Sequence, residues 1–204
     1  MFLGLLGSGI IAWYTYSSGL FLNIIMGNSY NVLLIIELVV VLAFSLLFRK
    51  LPPTIVGILY FVYAIINGIT LSTTFAIFDL HSIVYLFIIS ALVFGAFALI
   101  GFFTKKDLSS WSPYITIFLI ASILISLINV FILKNPTFDL IIDWLILALF
   151  CGVTIYDINK IKMLQQVPDI NQKKIHIYCA MELYLDFINI FLRILSIFGK
   201  RNND

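Results

Sequence analysis

Seven long apolar runs, separated by polar breaks too short to hold a domain, dictate what this chain can fold into. They lie at about residues 2–22, 32–48, 54–78, 83–103, 113–133, 139–158 and 175–198. A helix needs about 20 apolar residues to cross a bilayer, with a range near 17–25. Hydrocarbon offers no partner to backbone N–H and C=O groups, so a spanning segment must satisfy them internally, as a helix does. The breaks NSYN at 28–31, RKLPP at 49–53, DLHS at 79–82, TKKDLSSWSP at 104–113 and KNPTF at 134–138 are brief. The longest, NKIKMLQQVPDINQKK at 159–174, is the one appreciable hydrophilic loop. Such short connections turn successive helices antiparallel. The expectation is an all-α integral membrane protein, a single transmembrane domain over residues 1–204 built as a seven-helix bundle.

Composition points the same way. The chain is 62% hydrophobic and 11% charged, against about 45–50% and 25% in soluble domains. A net charge of +2 is too small to suggest nucleic acid as a partner. The opening MFLGLLGSGIIAW has no basic leader or cleavage site and reads as the first span. Cys151 and Cys179 each lie in an apolar run and read as small buried hydrophobes. His81 and His176 are too far apart in sequence to suggest a metal site. With no HExxH or GxSxG set, neither an enzyme nor a resident cofactor is expected.

Lys and Arg orient the spans. Arg49, Lys50, Lys105, Lys106, Lys160, Lys162, Lys173 and Lys174 follow the even spans, whereas Lys134 alone occupies the alternate loops. Cytoplasmic loops collect the positive charge, so the N-terminus is expected in the cytoplasm. Seven full crossings then leave Lys200 and Arg201 outside, against the rule. Either bundle contacts override these two charges, or the last span is re-entrant; seven crossings are the favoured reading.

The last apolar run is the unusual one. In ELYLDFINIF, Glu182 and Asp186 stand four apart, one above the other on a helix face, and Asn189 and Arg193 continue the seam. Glu37 lies in the second span and Asp157 closes the sixth. Ionisable groups cost about 2.5–3.5 kcal/mol each on insertion scales and therefore turn inward and find partners. The last span must be enclosed by its neighbours or reached by water. Such groups serve either as structural glue or as an ion or proton path, and the second reading carries more weight. By orientation alone Glu37 and Arg193 match in depth, and Arg49 or Lys50 can reach Glu182. Asn67, Thr70 and Thr74 share one face of the third span, as path-lining groups or as small polar residues that let helices approach.

The stretch YLDFINIFLRILSIFG resembles the closing signature of the Bax inhibitor family. NGITLS at 67–72, TKKDLSSW at 104–111 and IYDINKI at 155–161 agree with it in order and spacing. The resemblance implies a seven-helix bundle with the last helix central. For bacterial members it implies a pH-sensitive calcium leak, with paired aspartates at Asp157 and Asp186. It also matches Arg49 loosely to a basic latch on that pair, and Glu37 to an acidic residue of the second span. Glu182 is an additional carboxylate beside the pair.

Helix arithmetic does not by itself bring the aspartates together. Asp186 lies about 16 Å along its helix from the cytoplasmic start near 175, while Asp157 sits at the cytoplasmic end of its own span. If they meet, two carboxylates in a low-dielectric bundle share one proton and titrate as a unit. Losing that proton replaces a helix-to-helix hydrogen bond with repulsion, a pH switch on a bistable packing element. Carboxylates are hard ligands suited to calcium, here a transient permeant ion at Asp157 and Asp186. Two other functions compete with the leak. One is a proton-coupled transporter of a small solute, and the other a non-conducting regulator that binds a membrane protein such as a membrane protease.

Overall fold

The computed structural model describes residues 1–22, 32–33, 35–37, 39–41, 51–129, 135–165 and 172–202. The named helices are α1 (Phe2–Ser17), α2 (Pro53–Ile77), α3 (Leu80–Phe103), α4 (Ser112–Ile128), α5 (Pro136–Leu164) and α6 (Gln172–Phe198). A short 3₁₀ turn, Ser109–Trp111, precedes α4, and the described residues between 32 and 41 are helical. Among the described residues the chain is all-helical, apart from one isolated bridge between Phe78 and Arg201.

Among the described residues, four stretches are long and apolar enough to cross a membrane: Pro53–Ile77, Leu80–Phe103, Ser109–Ser126 and Thr137–Leu164. α1 has 16 residues, and α6 interrupts its apolar sequence with Glu182, Asp186 and Arg193. The expected hydrophilic loop at 159–174 is corrected: α5 continues to Leu164 and α6 begins at Gln172. Asp157 therefore lies two turns inside a helix rather than at its end. The prolines fit this pattern. Pro53 and Pro136 open α2 and α5, where a missing N–H costs nothing. Asn135 caps α5 by accepting from the N–H groups of Thr137 and Phe138.

The chain divides into two compact units. One holds residues 1–80, 170–184 and 200–204, and the other holds 81–169 and 185–199. In the first, the buried residues of α1 are Gly4, Ser8, Ala12 and Thr15, all small and one turn apart. This stripe admits α2 so closely that a Cβ on Gly68 would lie 2.7 Å from the Ser8 carbonyl oxygen. The start of α6 lies along α2 in the same sense. A Cβ on Gly57 would meet Ile177, and the rings of Tyr60 and Tyr63 stand edge-on to Tyr184. The tail closes on the far end of α2: Asp79 N–H donates to Lys200 O, Asn202 N–H to Ile77 O, and Asn202 Nδ2 to Ala76 O. The two Asn202 bonds satisfy carbonyls that the α2 C-terminus leaves open.

In the second unit α3 and α5 meet at Gly101, where a Cβ would lie 2.6 Å from Ile155 O. The segment after α3 is held by α5. Asn159, 1% exposed, donates to Thr104 O and Lys106 O and accepts from Leu108 N–H. Lys162 adds bonds to Phe102 O and Thr104 O, placing a cation at the negative end of α3. The TKKDLSSW and INKIK stretches thus form one joint. Phe87, Phe94, Phe187 and Phe191 make edge contacts along the other side of this unit.

Candidate functional site

Ionisable groups buried in a membrane protein must be matched by hydrogen bonds or charge, and each unit solves this locally. In the first unit Glu37 lies against Asn67 and Thr70 of α2. Its Oε1 is buried and has no hydrogen-bond partner among the described residues. Tyr184, fully buried on α6, donates its hydroxyl to Asn67 Oδ1 at 2.9 Å. Asn67 therefore stands between a carboxyl and a phenol. Thr70 and Thr74, expected with Asn67 as lining groups, donate their hydroxyls to Ile66 O and Leu71 O of their own helix. Glu182 is half-buried at the start of the acidic seam.

In the second unit Arg193 Nη1 contacts Asp143 Oδ1 at 2.5 Å, and Ser196 donates to Asp143 Oδ2 at 2.5 Å. This corrects the expected match of Arg193 with Glu37. Depth allowed that pairing, but Asp143, seven residues into α5, supplies a carboxylate within the unit that holds Arg193. Asp143 carries a sequence signal, an acid within the sixth apolar run opposite an arginine needing a partner. Asp157 and Asp186 are both buried in this unit, at 7% and 2% exposure, on α5 and α6. Asn189 donates to Leu185 O, inside its own helix. Arg49, the expected latch, lies outside the described residues.

Three further residues carry the architecture through bonds that the sequence does not announce: Tyr184, Asn159 and Lys162. A tyrosine in an apolar run and polar residues in an apparent loop give no local cue to partners more than fifty residues away. Cys151 and Cys179 are both buried, at 7% exposure each. Among the described residues no group of three or more His, Cys, Asp and Glu side chains could hold a metal.

A chain that is all-helical among its described residues, with four helices there fit to span a bilayer and with Glu37 and Asp143 set against polar and basic partners, is an integral membrane protein. The chain belongs to the Bax inhibitor family: the family model described as "Inhibitor of apoptosis-promoting Bax1" matches residues 1–203. It is 35% identical over 207 residues to the inner membrane protein YbhL of Escherichia coli, covering 98% of this chain and 88% of that protein. An uncharacterized protein of Borreliella burgdorferi is 33% identical, covering 100% of this chain and 90% of its own. An uncharacterized membrane protein of Streptococcus pyogenes is 34% identical over 82% of this chain and 73% of its own length.

Proposed function

We propose that this protein is a pH-sensitive cation leak of a bacterial inner membrane, calcium being the permeant ion and Asp157 with Asp186 the sensor and gate. The observation that carries the reading is the bond from Ser196 to Asp143. α5 has 29 residues, about 43 Å of helix. The seven residues between Leu164 and Gln172 reach less than about 30 Å, too short to return α6 to the start of α5. The two helices are therefore antiparallel, and the short Ser196 side chain fixes their register. Asp157 lies fourteen residues beyond Asp143, and fourteen residues back from Ser196 is position 182. Asp186 is one turn from that level, an axial offset of about 6 Å. The depth mismatch from apolar-run boundaries shrinks once the helix registers are used, and two carboxylates one turn apart on facing helices can share a proton.

Sharing follows from electrostatics: two buried carboxylates this close cannot both ionise cheaply, so the pair titrates as one. Deprotonation removes the bridge and sets two like charges against each other, which biases α5 and α6 apart. An acidic seam in the opening favours cations and binds calcium only weakly, as conduction requires.

Sidedness follows the basic loops. The α2 start, just after Arg49 and Lys50, is cytoplasmic, and the tail that closes on the far end of α2 is external, with a cytoplasmic N-terminus and seven crossings. Calcium flux into liposomes containing only this protein, measured between about pH 5 and 8, tests the function. A flux at the level of empty liposomes throughout that range would sink it.

A further inference from the structure

A groove of about 650 Å³ runs between α4 and α5 in the second unit. Trp111, Tyr114 and Phe118 form one wall, and Ala148, Gly152 and Val153 form the other. Trp111, Tyr114 and Phe118 recur at helical spacing and are each at least 60% exposed. Opposite them, a Cβ on Gly152 would meet nothing within 4 Å. In water such a trough would be an unsatisfied apolar surface; in a bilayer it is a channel for one acyl chain, at the volume typical of small-molecule sites.

The ends of the groove differ in chemistry. Ser110, Trp111 and Tyr114 line the end nearest the 104–108 segment, the polar and aromatic composition of a membrane–water boundary. Along α5 the floor runs from Ala148 through Gly152 to Asn159, two turns farther on the same face. Asn159 fastens Lys106 O and Leu108 N–H, so the exposed Lys105 and Lys106 are tethered at this end of the trough. The nearby acid, Asp107, is turned into its own loop by Ser109 N–H and Oγ–H. Two exposed lysines therefore stand on a tethered segment that leads into the Ser110–Trp111 end of the groove.

We infer that this groove binds one anionic phospholipid, its acyl chain between α4 and α5 and its phosphate at Lys105, Lys106 and Ser110. The charge complementarity selects an anionic headgroup over a zwitterionic one, since each interfacial lysine adds to the attraction. The site is separate from Asp157 and Asp186 and does not depend on ion conduction.

Trp111 reports on the groove directly. In a Trp13→Phe/Trp144→Phe background in mixed detergent micelles, phosphatidylglycerol with brominated acyl chains should quench Trp111. It should do so at about one-tenth the mole fraction needed for brominated phosphatidylcholine. Gly152→Leu, which fills the open space on the groove floor, should abolish this preference. Ala148→Leu serves as the second groove-filling variant if Gly152→Leu loses helical circular dichroism. Lys105→Gln/Lys106→Gln should bring phosphatidylglycerol to the phosphatidylcholine level. Equal quenching by the two lipids in the background protein overturns the inference. So does a parental preference that survives a folded groove-filling variant or the lysine pair.

Discussion

Arg193 and Asp143 are joined at 2.5 Å across α6 and α5, and Ser196 takes the second oxygen of the same carboxylate. Asp143 is 6% exposed, so this carboxylate leans on two partners one turn apart on α6. Arg193→Leu should destabilise the protein by about 2–4 kcal/mol, because the buried carboxylate loses its charge partner. Asp143→Asn combined with Arg193→Leu should recover most of that loss. Unfolding in graded denaturing detergent measures both, and equal stability of the single variant and the parent would refute the pairing.

Asp157 and Asp186 make the strongest functional test. Asp186→Asn keeps size and hydrogen bonding but removes a titratable group, so ion leak should lose its pH dependence while the protein folds. If the pair shares a proton, the pH midpoints of Asp157→Asn, Asp186→Asn and the double variant should be strongly non-additive. Independent, additive shifts in liposome flux would show that the two carboxylates do not touch.

The phenol of Tyr184 and the amide of Asn67 offer a second cycle. Tyr184→Phe removes one neutral hydrogen bond and should cost about 1 kcal/mol. Asn67→Leu removes the group set between Tyr184 and Glu37. It should cost more, about 1–3 kcal/mol, because buried polar partners are left behind. Coupling between the two substitutions in the denaturation assay should be close to the Tyr184→Phe effect. Simple additivity would mean that the bond contributes nothing.

Glycine positions separate close approach from open surface. Gly101→Ala drives a Cβ toward Ile155 O, a backbone atom that cannot swing aside, and should cost about 1–3 kcal/mol. Gly152→Ala meets nothing and should be neutral or stabilising by up to about 1 kcal/mol through helix propensity. Thermal unfolding of the two variants side by side checks the contrast; equal melting temperatures contradict it.

The loop after α3 has a pH signature of its own. Ser109 N–H and Oγ–H bind the Asp107 carboxylate and hold its pKa below the ordinary 3.8. A depressed carboxylate pKa contributes order above the unfolded value and loses it as pH falls through the folded one. Protection of the Ser109 amide, its exchange relative to the intrinsic rate at each pH, should therefore hold through neutral pH and fall below about pH 3.8. Asp107→Asn should reduce that pH response, and an unchanged profile would show that Asp107 does not order the turn.

Helix class and approximate helix positions were legible because apolar run length and the backbone's need for internal hydrogen bonds are local properties of the chain. The need to shelter Glu37, Asp157, Asp186 and Arg193 was legible for the same reason, since desolvation depends on the group itself and on the solvent around it. Which partner each found was a tertiary decision. Arg193 went to Asp143 rather than to the depth-matched Glu37, because register within a packed unit, and not depth alone, sets which side chains can touch. The extent of α5 was decided likewise. Asn159 and Lys162 read as loop residues until their bonds to the end of α3 prolong the helix, two turns past Asp157. The tail's place was decided in the same way: charge along the sequence does not reveal that backbone pairing ties residues 200–202 to the end of α2. Periodicity and charge are read along one strand of sequence, whereas partners 50 to 130 residues apart exist only once the helices have packed.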